Sequence, residues 1–200
     1  KVLISGYNSA AILGGNASLA VVRLNADGSL DPAFGAAGIA TAACVSTLGL
    51  NWWSKQGLAL QSDGRILIGG ECDRVATVFR FHSDGTLDAG FGVGGKAILP
   101  ADPGQVHSTV LVLKTQESGG EEKVLVGGQL EPASWRAKWL LARLNADGSM
   151  DATFAGGAGI LFQQWRHYDE GIVDIALLPD DRIIAYGSSI AAAGPNLSDF

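Results

Sequence analysis

The 200-residue chain has two cysteines, one methionine and three histidines. Charged residues make up only 17% of it, against a usual share of about a quarter. That share is too low for a coiled coil or a disordered, highly charged tail. The formal net charge is −6, so nothing in the overall balance favours a nucleic-acid groove. No apolar run reaches the ~18 residues of a membrane-spanning helix. The patterns G-x-S-x-G, H-E-x-x-H and CxxC are all missing, which removes the common hydrolase, zinc-protease and dithiol motifs. Two isolated cysteines make a poor metal site. No cofactor or metal is implied.

What the chain has in abundance is glycine, 28 residues, with no three-residue period and so no collagen helix. Many of these glycines recur in register. Leu24-Asn25-Ala26-Asp27-Gly28-Ser29-Leu30-Asp31-Pro32-Ala33-Phe34-Gly35 returns as Phe81-His82-Ser83-Asp84-Gly85-Thr86-Leu87-Asp88-Ala89-Gly90-Phe91-Gly92. It returns again as Leu144-Asn145-Ala146-Asp147-Gly148-Ser149-Met150-Asp151-Ala152-Thr153-Phe154-Ala155. Asp27 and Asp84 are 57 residues apart, and Asp84 and Asp147 are 63 apart. A second block lies between these copies: Val2-Leu3-Ile4-Ser5-Gly6, Ile66-Leu67-Ile68-Gly69-Gly70, Val124-Leu125-Val126-Gly127-Gly128 and Ile183-Ile184-Ala185-Tyr186-Gly187. Its last glycines step by 64, 58 and 59 residues. Two motifs sharing one period define a repeat.

Each unit reads as four short strands. In the second unit strand A lies near 39–45, B near 57–61, C over 65–70 and D near 76–82. Asp63-Gly64 makes a tight B–C hairpin, because Asp-Gly supplies the positive φ angles such a turn needs. The third B–C connection is stretched into 116–123, which disfavours a two-residue turn there. Runs such as Ile66-Leu67-Ile68 do not alternate with polar residues, as expected of strands covered on both faces. Units of ~60 residues exceed the usual solenoid repeat and suit a four-stranded propeller blade.

The Leu-Asn-x-Asp-Gly-Ser-x-Asp-x-x-Phe-Gly block, joined to Asp-Gly-Arg-Ile-Leu-Ile-Gly-Gly, resembles the bacterial delta-60 repeat along essentially the whole chain. That resemblance implies a β-propeller-like array in exported or surface-associated bacterial proteins, and no catalytic residues. The expected fold is all-β: a β-propeller or partial propeller of four-stranded antiparallel blades. About 3.5 repeats are present, with units near 1–34, 35–91, 92–154 and 155–200. The chain opens at strand C and stops near a fourth strand D, so the expectation is a segment of a longer array.

The remaining candidates divide by the end of the array on which they fall. Gly90-Phe91-Gly92-Val93-Gly94-Gly95-Lys96 mimics a phosphate loop, but strand residues follow it where that chemistry requires a helix. Asp27/Asp31, Asp84/Asp88 and Asp147/Asp151 could hold calcium, but glycine directly after the first Asp reads as turn chemistry instead. Arg23, Arg80 and Arg143 each sit in an apolar strand D and are expected to pair with the Asp eight residues on. Cys44 and Cys72 end strands on one face, where a disulfide and two free thiols are both open readings.

The A–B and C–D connections share that face and vary in sequence. They carry Trp52, Trp53, Trp135, Arg136, Trp165, Arg166, His167 and Tyr168. Variable aromatic- and Arg-bearing loops on a rigid scaffold suit protein partners, with stacking on a glycan as the alternative. A purely structural role in a surface or fibrous assembly is the third reading. His167 beside Asp169 and Glu170 is the single acid–base cluster visible in sequence.

Overall fold

The computed structural model describes residues 1–9, 17–44, 57–102, 104–132, 137–164 and 169–190. The fold is all-β. The first sheet contains β1 (Val2–Ser9), β2 (Ala17–Leu24) and β3 (Ile39–Ala43). The second contains β4 (Gly57–Leu60), β5 (Ile66–Cys72), β6 (Val75–Phe81) and β7 (Lys96–Ile98). The third repeats that plan with β8 (Gln105–Ser118), β9 (Glu121–Pro132), β10 (Lys138–Leu144) and β11 (Ile160–Gln163). The fourth contains β12 (Asp169–Leu177) and β13 (Ile183–Ile190). Every pairing is antiparallel between consecutive strands.

The sheets are phased differently from the repeat units drawn in sequence. The strand after each Phe turn pairs back onto strand D of its own sheet: β3 on β2, β7 on β6, β11 on β10. One sheet therefore runs B-C-D-A, not A-B-C-D. The local reason is the D–A connection. Asp31 N–H donates to Arg23 O, and Arg23 N–H donates to Gly38 O, which folds the chain back on strand D. Arg80 with Asp88 and Gly95 does the same, as does Arg143 with Asp151 and Gly159.

Alternate residues of the central strands fill different cores. Ile66 and Ile68 pack with Leu19, Val21, Ala40, Phe79 and Phe81 between the first two sheets. Leu67, between them in sequence, points the other way toward Val110, Val124 and Leu140. Leu125 likewise joins Val112, Ile172 and Ile175 between the third and fourth sheets. This is why the apolar runs are uninterrupted: both faces of the strand are covered. Strand β3 is exposed on alternate residues, as befits an outer strand. The sheets approach closely, since a Cβ on Gly69 of β5 would lie 2.6 Å from Val110 Cγ1 of β8 in the next sheet.

The stretched connection at 116–123 is a correction to the sequence reading. The extra residues lengthen the strands, and Gln116, Glu117 and Ser118 pair with Lys123, Glu122 and Glu121. Only Gly119 and Gly120 turn the chain, both at positive φ (65° and 80°), the pair of angles a two-residue hairpin demands. In the third D–A connection one extra residue forms a 3-10 turn, Ala155–Gly157.

Candidate functional site

The two ends of the stacked sheets are built differently. At the end carrying the Asp-Gly turns, each turn aspartate is engaged by its neighbours through Oδ1. Asp27 Oδ1 accepts from Ser29 N–H and Oγ at 3.0 and 2.7 Å. Asp84 and Asp147 do the same with Thr86 and Ser149. These bonds hold all three carboxyls below the ordinary aspartate range.

The later aspartates form the second half of the unit. Asp31, Asp88 and Asp151 each use Oδ1 to accept a backbone N–H two residues on. Their Oδ2 atoms accept from the Nε of Arg23, Arg80 and Arg143 at 2.8, 2.7 and 2.7 Å. Each guanidinium then lies over the repeat's phenylalanine: Phe34, Phe91 and Phe154, at 4.5, 4.5 and 4.9 Å from the ring centre. In sequence these rings appear only as members of the repeated block. Their second role is a cation–π seat for an otherwise costly buried charge. No group of three or more ligands suited to a metal occurs among the described residues.

These units also join one repeat to the next. The Nη1 of Arg23 donates to Ser83 O, and that of Arg80 to Ala146 O, in the following turn. Gly35 N–H donates to Asp84 O and Gly92 N–H to Asp147 O, both at 2.7 Å. Farther along the same end, Gln61 Nε2 and Ser62 N–H bond the Glu122 carboxylate of the next sheet. This end is occupied with holding the array together.

The opposite end carries the strand connections that differ between sheets. Cys44 and Cys72 are joined there by a disulfide with a Cα–Cα distance of 5.3 Å. Cys44 follows β3 and Cys72 ends β5, so the bond ties adjacent sheets together. Beside it, His107 Nδ1 lies 2.8 Å from Glu71 Oε1. Glu71 is 3% exposed, and burial raises its carboxyl above the ordinary range. Ser108 stitches this edge together: its N–H donates to Arg74 O, and its Oγ accepts from Ala76 N–H. Glu71, His107, Ser108, Thr109, Gln129 and Glu131 line a small cleft between the second and third sheets.

Sequence reading missed this cluster. Its members are 36 residues apart, and only the stacking of β5 against β8 brings them together. A usable signal existed. Glu71 follows Gly69-Gly70 where the other copies carry Tyr7, Gln129 and Ser188, a charged residue closing an apolar strand. The residues singled out for binding, Trp52, Trp53, Trp135, Arg136, Trp165, Arg166, His167 and Tyr168, lie outside the described residues.

A family model described as a domain of unknown function (DUF5122) beta-propeller matches residues 1–34, 61–91 and 123–154. The matched segments, 97 of the 200 residues, are similar to β-propeller repeats. Two of the three matched segments begin at or beside a B–C turn, and each ends at the repeat's phenylalanine. They therefore coincide with the Arg–Asp–Phe units and their strands, and they leave out the variable A–B linkers. No curated protein and no solved structure matches the chain. No helix among the described residues is long and apolar enough to cross a membrane.

Proposed function

We propose that this propeller array is a non-catalytic scaffold that binds partner proteins through the end bearing the variable connections. The observation that carries this reading is the division of labour between the two ends. The repeated Asp, Arg and Phe side chains are spent on one another and on the next turn. The opposite end varies from sheet to sheet: Asp73 and Arg74 make one C–D connection, and Trp135 and Arg136 fall in another. Rigid frames with variable loops are a common basis for recognition. Aromatic and arginine side chains are the commonest interface anchors. The delta-60 type within the propeller repeats belongs to the same proposal. So does an extracytoplasmic setting, which the Cys44–Cys72 disulfide supports because such bonds persist in oxidising compartments.

The test is cross-linking mass spectrometry on the protein in its native cells, with wild type set against a Trp52→Ala/Trp165→Ala variant and an Asp63→Ala turn-end control. The expected result is a specific partner lost in the first variant and kept in the second. Partner contacts mapping to the Asp-Gly turns would overturn the assignment of the binding end. A glycan array giving binding that depends on the same two tryptophans would replace the protein partner with a carbohydrate.

A further inference from the structure

The cleft at the variable end is lined by two carboxylates, a histidine, two hydroxyls and an amide, so its acceptors outnumber the donors it can offer. Glu71 Oε1 lies 2.8 Å from His107 Nδ1 and accepts its N–H in the tautomer that carries the proton on Nδ1. With that nitrogen donating, His107 Nε2 is left as an acceptor. Glu131 Oε1 accepts from Gln129 Nε2 at 3.1 Å. Ser108 Oγ is taken by the Ala76 N–H at 2.8 Å. Thr109 Oγ1 is shut off from solvent and has no hydrogen-bond partner.

Two carboxylates face this space, and Glu131 adds to the burial that raises Glu71. The hydrogen bond from His107 and the charge of Arg74 act against that burial and only partly offset it. The cleft has room for a group of about one water molecule's size. That size excludes a guanidinium or a sugar ring. A neutral hydroxyl would bring one donor and no charge. A primary ammonium is water-sized, carries three donors and one positive charge, and meets both deficits.

We propose that the cleft formed by Glu71, His107, Thr109 and Glu131 receives a primary ammonium group, either a lysine side chain of a partner protein or a free amine. This rests on the reading of this end as the binding end, and it names the chemistry that end selects.

The test is a titration of the full chain with methylammonium chloride at pH 7.5. It is followed by NMR at the His107 ring nitrogens and the Glu71 carboxyl carbon. Sodium chloride and tetramethylammonium chloride at matched ionic strength are the controls. Saturable shifts with methylammonium alone are expected. Glu131→Gln is expected to weaken binding about tenfold, as for one lost charge-assisted hydrogen bond. Thr109→Val is expected to weaken it as well, which keeps the test decisive if Glu71→Gln fails to fold. A response that does not saturate, that the controls reproduce, or that survives Glu131→Gln unchanged would overturn the proposal. A lysine-bearing peptide that competes with methylammonium identifies the partner-borne source, and one that does not identifies a free amine. The probe is a free amine, so a failed partner search leaves this result standing, and a failed titration leaves the partner reading standing.

Discussion

Gly92 donates its backbone N–H to the carbonyl of Asp147, 55 residues further along the chain, at 2.7 Å. Gly35 and Asp84 stand in the same relation one repeat earlier. The glycine after each receiving aspartate is therefore constrained twice. Gly85 and Gly148 sit at φ of 87° and 86°, and a Cβ on either would lie 2.7 Å from the donating nitrogen. Gly28 has the same φ but no atom within 4 Å of its Cβ position.

That contrast separates conformational strain from steric contact. Gly28→Ala is expected to cost about 1 kcal/mol, the ordinary penalty for a side chain at positive φ. Gly148→Ala is expected to cost about 2 kcal/mol more, because it also pushes the Phe91–Gly92 turn away. Urea denaturation of the two variants checks this. Equal losses would mean that the contact between turns is unimportant.

The Arg80–Asp88 pair is the most enclosed of the three equivalent pairs, with both residues near 5% exposure. Asp88→Ala leaves the guanidinium over Phe91 without its carboxylate, at an expected cost of about 3 kcal/mol. Replacing both partners, Arg80→Met with Asp88→Ala, is expected to cost less than the single change. A double-mutant cycle in chemical denaturation measures the coupling.

The acidic groups set a direction for pH. Asp27, Asp31, Asp84, Asp88, Asp147 and Asp151 all have lowered folded-state values. A carboxyl depressed on folding stabilises above its unfolded value of about 4, and that contribution is lost as pH falls through the folded value. Glu71 runs the other way. Its value is raised, so its contribution is complete below about 4.3 and lost as pH rises through the folded value. The expected thermal-denaturation profile falls steeply below about pH 4 and declines gently on the neutral side. Glu71→Gln is expected to remove the gentle arm alone.

The Cys44–Cys72 bond closes a loop of 28 residues between two sheets. Chain-entropy arguments put its loss at about 3.5 kcal/mol. Denaturation of a Cys44→Ser/Cys72→Ser variant, set beside the wild type with and without reductant, checks the value. No difference between oxidised and reduced wild type would show that sheet packing alone holds this edge.

Strand identity and the repeat were legible because both are local. The Ile66-Leu67-Ile68 run, the Asp63-Gly64 hairpin and the Arg23/Asp31 spacing all act within a few residues of themselves. The phase of the sheets was not legible. Strand β7 could go with either neighbour until the bonds of Arg80 to Asp88 and Gly95 committed it. The His107–Glu71 pair was hidden for a related reason. It depends on two sheets stacking, and no spacing in a linear chain reports that. The hairpin at Gly119-Gly120 is not legible from the length of its connection, because added β-rungs absorb extra residues as readily as a loop does.

The contact between successive turns has a consequence for how such a chain can grow. Its donor and its acceptor belong to the same twelve-residue motif, so the joint is complementary to a copy of itself. A duplicated unit is born already fitting its parent, and lengthening the array requires no new surface to evolve. Selection is then free to work on the other end, copy by copy.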